Sequence, residues 1–95
     1  MATQVTGDTL DKAAALLKAF AHHDRLQIVN VLINGEFHVG ELTKLLGTNQ
    51  PHTSLQLSNL KFAGVLKSRR DGNKTYYSLA NDSIKKIVKS IIADI

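Results

Sequence analysis

The chain of 95 residues contains no cysteine and has only one methionine, Met1, and one proline, Pro51. Without cysteine, it forms no disulfide, offers no thiolate to a metal and carries no thiol redox switch. No apolar run approaches the roughly 18 residues that a membrane-spanning helix needs. Residues 1–12 also lack the basic segment and the apolar stretch of a signal peptide, so we expect a cytoplasmic protein without a membrane partner.

The sequence also lacks the motifs of common enzymes. It contains no glycine-rich phosphate loop, no cysteine nucleophile, and no serine or carboxylate pair with a positioned histidine. We therefore expect neither catalysis nor a bound cofactor. What remains is the composition of an ordinary globular protein, 43% hydrophobic and 21% charged. A chain of this length buries one core, so we expect a single domain over residues 1–95.

Positive charge is concentrated in one segment. Of 12 cations and 8 anions, five cations and one anion lie in residues 61–74, which leaves seven of each sign elsewhere, so this segment carries the whole net charge of +4. Such a cluster suits a polyanion, because phosphate neutralisation supplies most nonspecific affinity for nucleic acid. Cations on a strand edge also prevent aggregation, which leaves a second interpretation open. The five are Lys61, Lys67, Arg69, Arg70 and Lys74.

Helical spacing of apolar residues predicts helices near both ends of the chain. A stripe that includes Leu10 and Leu17 predicts a first helix over residues 8–21. A second stripe predicts a last helix over residues 81–95, capped by Asn81. Six aliphatic side chains on a terminal helix indicate contact with another molecule or packing back onto the same domain. The six are Ile84, Ile87, Val88, Ile91, Ile92 and Ile95.

Between these ends, the sequence predicts a second helix capped by Asp24 and a helix-turn-helix over residues 39–64. The third helix ends at Gly47, which takes the left-handed conformation readily, and Asn49 caps the fourth helix. Pro51 falls in the first turn of that helix, where its missing N–H is not needed. Two helices joined by a tight turn match the motif that lays its second helix in the major groove, although a plain helical hairpin gives the same pattern.

The N-terminal part of the fourth helix carries the residues expected to touch DNA. Its amide, imidazole and hydroxyl groups suit base edges, and glutamine can pair with adenine through two hydrogen bonds. Free N–H groups at the helix start can hold a phosphate. Leu57, Leu60 and Thr53 are expected to form the buried side of the helix. The predicted DNA contacts are Asn49, Gln50, Pro51, His52, Ser54, Leu55 and Gln56.

Residues 65–79 change to a strand-like pattern and predict a two-stranded hairpin, the wing. The dipeptide Asp71-Gly72 between the two runs is a strong hairpin signal. The basic tip would protrude beside the fourth helix and contact the DNA backbone. Alternation turns one of Tyr76 and Tyr77 inward and leaves the other for a phosphate. The predicted wing contacts are Arg69, Arg70, Asn73, Lys74 and Tyr76. The fold class is thus mainly α with a small β-hairpin (α+β): four helices, two strands and a last helix.

This order of elements resembles the ArsR/SmtB family of bacterial winged helix-turn-helix repressors. The resemblance covers nearly the whole chain and rests on LLKAFAHHDRLQIVNVL and on ELTKLLGTNQPHTSLQLSNLKFAGVLKSRRDGNKTYYSL. It implies a sequence-specific repressor that binds an inverted-repeat operator in double-stranded DNA, with half-sites about 10 base pairs apart. It also implies a homodimer formed through the first and last helices, by Leu10, Leu17 and the aliphatic stripe of the last helix.

The resemblance also shows where a metal sensor would lie, and neither place has its ligands. Arsenic-sensing and cadmium-sensing relatives have Cys-Val-Cys where this chain has His38-Val39-Gly40. Zinc-sensing relatives have Asp-x-His early in the last helix and a second pair near its end, where this chain has Asn81-Asp82-Ser83 and Asp94. His22-His23 would need ligands from another subunit. We expect no metal site, and the effector is unknown.

Two residues depart from the family pattern. Leu55 stands where relatives usually have a histidine or arginine that reaches DNA, and Phe62, seven residues later, is apolar where they are usually polar. Leu55 suits a thymine methyl group. The two side chains also share a helix face that could meet another protein, so a winged-helix interaction module with weak or no specific DNA binding is the alternative function.

Overall fold

The computed structural model describes residues 4–95. It contains five helices and three strands, so the predicted fold class is confirmed. In chain order these are α1 (Gly7–Phe20), α2 (His23–Leu32), β1 (Phe37–His38), α3 (Val39–Leu46), α4 (Gln50–Phe62), β2 (Leu66–Asp71), β3 (Lys74–Leu79) and α5 (Asp82–Ala93). In this part of the chain, no helix combines the length and the apolar character that crossing a membrane requires.

Local side-chain caps explain where most of the helices begin. The Asn49 and Asn81 carboxamides accept hydrogen bonds from the backbone N–H groups of the third helical residues of α4 and α5, as predicted. His38 caps α3 and forms a reciprocal pair with Glu41, a capping box. The expectation that Asp24 caps α2 is wrong. This helix begins after His22 without a side-chain cap, and the Asp24 carboxylate bonds to two histidines instead.

The wing is a regular antiparallel hairpin with a third strand at its edge. Its strands pair from Leu66 opposite Leu79 to Asp71 opposite Lys74, and Gly72 takes the left-handed conformation that the tight turn requires. Strand β1 pairs with β3 on the other side, which gives the order β1-β3-β2. Sequence patterning did not predict β1, because two residues are too few to show an alternation.

The core is built around α2, which packs against α1, α3, α4 and β3. The buried side of α4 is confirmed, since Leu57 and Leu60 are fully buried and Thr53 is 1% exposed. Thr53 Oγ1 donates to the Asn49 carbonyl and accepts from Thr43 Oγ1, each at 3.0 Å, so one buried hydroxyl ties α3 to α4 across the turn. A hydrogen-bonded hydroxyl inside the apolar core therefore helps to fix the angle between α3 and α4.

The aliphatic stripe of α5 divides into two parts. Ile84 and Val88 are each 1% exposed and belong to the protomer's own core. The expectation that Ile84 contacts a partner chain is therefore wrong, and Val88, although it lines the groove between α1 and α5, offers almost no surface to a partner. Ile87 is partly buried against the same core. Packing back onto its own domain, one of the two open interpretations, therefore describes the N-terminal half of α5. Five of the side chains predicted to form the dimer interface are exposed, namely Leu10, Leu17, Ile91, Ile92 and Ile95.

Exposed apolar side chains of α5 and α1 line one groove, which we call the α1–α5 groove. It encloses about 280 Å³. Ile91 and Ile92 are 54% and 45% exposed along it, and Leu17 is 47% exposed opposite them. The groove is lined by Leu17, Phe20, Ala21, Leu26, Val88, Ile91, Ile92 and Ile95.

Candidate nucleic-acid interface

The outward side of α4 keeps part of the predicted reading set accessible. Asn49, Gln50, Pro51 and Leu55 are exposed and Ser54 is partly exposed, all in the first half of the helix. Leu55 is 57% exposed. In the first turn of α4, Pro51 has no N–H and the His52 N–H donates to Asn49 Oδ1 at 2.8 Å, so the Gln50 N–H is the backbone donor left for a ligand. This end of α4 therefore offers amide, hydroxyl and methyl groups together with a partial positive charge.

Two residues predicted to read DNA are hydrogen-bonded inside the protomer. Gln56 is only 8% exposed, and its Oε1 accepts a hydrogen bond from Arg25 Nε at 2.7 Å. His52 Nε2 lies 3.0 Å from the Asp24 carboxylate on α2. The assignment of Gln56 to the reading face is wrong. His52 is bonded to α2 through Nε2 but its side chain is 38% exposed, so its contact with DNA stays a prediction. Both partners lie about 30 residues earlier in the chain, so no local pattern reveals them.

Asp24 receives histidines from two elements. His23 Nδ1 is 3.4 Å from one carboxylate oxygen, and His52 Nε2 approaches the other. These hydrogen bonds, from His23 first and then from His52, hold the pKa of the Asp24 carboxyl below its ordinary value of 3.8. Asp24 is therefore ionised at neutral pH and accepts a hydrogen bond from His52 of α4.

In the wing, Arg69 is bound by a carboxylate that sequence reasoning missed. Its Nε donates to both oxygens of Glu36 at 2.9 Å, and Nη2 donates to one of them at 2.6 Å. Its guanidinium also lies 4.8 Å from the centre of the Tyr76 ring, whose edge packs on His38. The Arg69 hydrogen bonds lower the pKa of Glu36 below its ordinary value of 4.5. Arg69 and Tyr76 thus brace the wing against β1 within the protomer, and their predicted contacts with DNA stay predictions.

The wing tip keeps its remaining cations near the surface. Arg70 bonds to its own turn, through Nε to the Gly72 carbonyl at 3.0 Å and through Nη1 to Thr75 Oγ1 at 3.2 Å. Lys74 and Asn73 are exposed, and within residues 4–95 no side-chain hydrogen bond or ion pair involves them. Tyr77 is the inward tyrosine of the pair, since it packs against the core.

A cleft of about 250 Å³ brings the two halves of the predicted site together. Gln50 lies on its helix side, and Asn73 and Lys74 lie on its wing side. The start of α3 closes the third side with His38 and Val39. The amide predicted to read a base and two groups suited to phosphate thus share one concave surface, although 23 residues or more separate them in the chain.

The histidines do not assemble a metal site in the part of the chain that the structure describes. No group of three or more histidine, aspartate or glutamate side chains there is arranged to hold an ion. His38 caps α3 and pairs with Glu41.

Comparisons with known proteins agree with this geometry. A family model described as bacterial regulatory protein, arsR family, matches residues 22–68. Over 82 residues, the chain is 39% identical to the biofilm growth-associated repressor of Agrobacterium fabrum, with 86% of this chain and 70% of that protein covered.

Solved structures show the same fold over nearly the whole chain. A homodimeric winged helix-turn-helix DNA-binding domain from Mycobacterium bovis is 33% identical, with a TM-score of 0.84 over 99% of this chain and 91% of that one. The transcriptional repressor BigR from Xylella fastidiosa is also 33% identical, with a TM-score of 0.81 over 96% of this chain and 97% of that one. These relatives do not favour the alternative of a protein-interaction module.

Proposed function

This chain belongs to the ArsR family of bacterial regulatory proteins and is a DNA-binding transcriptional regulator; from that premise we propose that it represses transcription by binding an inverted-repeat operator as a homodimer. The observation that carries the proposal is the cleft shared by Gln50, Asn73 and Lys74. A duplex lying along this cleft would meet a base-reading side chain and backbone-binding side chains at once.

The recognition helix supplies sequence discrimination in this proposal. Gln50 pairs with a base edge, Ser54 donates or accepts as the base requires, and Leu55 contacts a thymine methyl group. Asn49 and Pro51 lie at the helix start, where the Gln50 N–H and the positive end of the helix dipole face a phosphate. These five residues are the part of the predicted reading set that the fold leaves accessible.

The wing supplies affinity that does not depend on sequence. Lys74 and Asn73 bind the phosphate backbone beside α4, and each neutralised phosphate releases condensed counterions. Arg70 adds its charge at the same tip while its hydrogen bonds hold the turn in shape. Lys61 donates to Ser68 Oγ at 2.7 Å and so joins the end of α4 to β2, which fixes the wing relative to the reading helix.

The α1–α5 groove is the proposed dimer interface, with a second copy of the chain as its occupant. Its apolar side chains would be removed from water by a matching surface, and a two-fold axis places the same groove on both copies. The relative from Mycobacterium bovis is a homodimer, which supports a dimer here. Two recognition helices would then meet successive turns of the major groove, about 34–36 Å apart.

The other expectations follow from this role. The protein would act in the bacterial cytoplasm, where the chromosome is, and would have no catalytic activity and no cofactor. Neither metal position described for the family carries its usual ligands in this sequence. The proposal therefore includes no metal sensor, and the signal that releases the operator is unassigned.

The test is a gel-shift titration against the protein's own promoter and a random duplex of equal length, repeated at several salt concentrations. We expect a protected footprint with two-fold symmetry and a preference for the promoter that survives at higher salt. A promoter-reporter fusion then separates repression from activation. Equal affinity for both duplexes would contradict the proposal, and reporter output that rises with the protein would contradict the repressor assignment.

A further inference from the structure

The first turn of α2 touches the recognition helix through a half-buried arginine. Arg25 Nε donates to Gln56 Oε1 at 2.7 Å, and Arg25 Nη1 donates to the Ala19 carbonyl at 3.3 Å. Ala19 lies in the last turn of α1, where backbone carbonyls have no intrahelical donor. One guanidinium therefore connects the end of α1 to the middle of α4.

The preceding residue makes a second connection to the same helix. Asp24 holds His52 Nε2 at 3.0 Å. His52 and Gln56 are four residues apart on α4, so their side chains share one face, one turn apart. Two consecutive residues of α2 thus hold two consecutive turns of the recognition helix, and both connections use charged groups.

Directional bonds at this place restrain a motion that apolar packing restrains poorly. The buried leucines of α4 gain free energy from any arrangement that removes them from water, because the hydrophobic effect is non-directional. A rotation of α4 by about 20° about its axis moves a side-chain end by about 2 Å, since the helix with side chains has a radius of roughly 5–6 Å. A base contact does not survive that shift, because hydrogen bonds need their narrow range of distance.

We propose that Asp24 and Arg25 are positioning residues, which fix the rotation of α4 and thereby decide which of its side chains face the bases. This inference rests on the proposed function, in which α4 reads DNA. It assigns a role in specificity to two residues that need not touch DNA. It also explains why the amide of Gln56 is buried while that of Gln50, on the same helix, is exposed.

The experiment compares how strongly each variant prefers the promoter over a random duplex. Arg25→Met removes both donors, and Gln56→Met removes the acceptor with little change in volume. Gln56→Glu keeps an acceptor for Arg25. Lys18→Met, on the exposed side of α1, is the matched control, because it loses the same positive charge without breaking either connection. Thermal unfolding is recorded for every variant.

We expect Arg25→Met and Gln56→Met each to lower the promoter preference about tenfold, the effect of losing one good base contact. The double variant should show no lower promoter preference than the more impaired single variant, because both substitutions break the same Arg25–Gln56 hydrogen bond. Gln56→Glu and Lys18→Met should keep the wild-type preference. Affinity for the random duplex should change equally in Arg25→Met and Lys18→Met.

Two results would overturn the inference while leaving the proposed function intact. One is a wild-type preference that Arg25→Met retains. The other is a Gln56→Glu variant that loses the preference as fully as Gln56→Met while melting normally. If the wild type itself shows no preference, the proposed function fails first and this inference fails with it. The position of the Arg25 Nε–H signal in a nitrogen-15 NMR spectrum tests the Arg25–Gln56 hydrogen bond without DNA. An unchanged Arg25 signal in Gln56→Met would also contradict the inference.

Discussion

Both α4 and α5 carry residues that were predicted to contact another molecule, and in each helix some of these residues are buried in the protomer while others are exposed. The two helices differ in where the buried and the exposed residues lie. On α4 the division runs around the helix: Gln56 faces inward while Gln50 and Ser54 stay accessible. On α5 it runs along the helix: Ile84 in its first turn and Val88 at its middle are buried, and the isoleucines near its end are exposed.

The outward surfaces of the two helices also differ in chemistry. The accessible side of α4 presents hydrogen-bonding groups, whose value depends on the geometry of the partner. The accessible end of α5 presents aliphatic groups, whose burial stabilises any well-packed partner surface. We therefore expect changes on α5 to alter the total affinity of the assembly, and changes on α4 to alter the choice among DNA sequences.

The largest expected effect comes from placing a charge in the α1–α5 groove. Ile91→Asp would put a carboxylate into the proposed interface, where burying an unpaired charge is strongly unfavourable. We expect a monomer in sedimentation experiments and a loss of operator affinity on the order of 1,000-fold, because one recognition helix no longer tethers the second.

Ser90→Asp is the matched control for this substitution. It introduces the same charge at the neighbouring residue, which is exposed and does not line the groove. The control should remain a dimer with unchanged operator affinity. A dimeric Ile91→Asp variant would show that the apolar end of α5 serves another contact and does not set the affinity of the assembly.

The elements that local chemistry determines were predictable from the sequence. Asn49 and Asn81 begin helices, Gly47 ends one, and Gly72 forms the turn of the wing. In each case the residue acts on backbone groups within a few positions of itself. The helical stripes likewise predicted which elements exist, because burial of one face requires only a periodic pattern.

The contacts that decide which polar residues are available were not predictable. Gln56 meets Arg25 across 31 residues, and Arg69 meets Glu36 across 33. A glutamine or an arginine has the same local pattern whether it faces a partner or the solvent. For the same reason, the stripe on α5 could not show where its buried part ends.

Sequence choice should depend most on Gln50. Gln50→Ala is expected to cost about 1–3 kcal/mol in binding to the operator and almost nothing in binding to a random duplex. Gln4→Ala makes the same side-chain change at an exposed position before α1 and should leave both affinities unchanged. Parallel titrations of the two duplexes measure the difference. An equal loss on both would place Gln50 among the backbone contacts and would remove the distinction between helix and wing.

Lys74 should show the opposite behaviour. Lys74→Ala is expected to weaken binding to every duplex by a similar factor and to reduce the slope of log affinity against log salt by about 0.9 per subunit. Lys86→Ala, on the exposed side of α5, is the control for loss of one positive charge elsewhere. A change in promoter preference without a change in slope would assign Lys74 to base reading.

The smallest expected effect, and the most direct test of the wing, concerns Arg69, which is paired with Glu36. Glu36→Ala should release Arg69, so we expect somewhat tighter binding to all duplexes and a salt slope steeper by up to about 0.9 per subunit. Asp71→Ala is the matched control, because it removes a carboxylate 3.7 Å from the same guanidinium but leaves the Glu36 pair intact. If the two variants gain equally, net charge rather than the release of Arg69 is the cause.

Acidity provides an independent check on that pair. Because Arg69 lowers the folded-state pKa of Glu36 below 4.5, the pair stabilises the fold above the unfolded-state pKa, and this contribution is lost only as the pH falls through the lower folded value. The gain from Glu36→Ala should therefore stay constant between about pH 8 and 5.5, well above ordinary carboxyl pKa values. A gain in DNA affinity that shrinks within this range would mean that Glu36 of the wild type already releases Arg69 at mild acidity. Arg69 would then be available to bind DNA without the substitution.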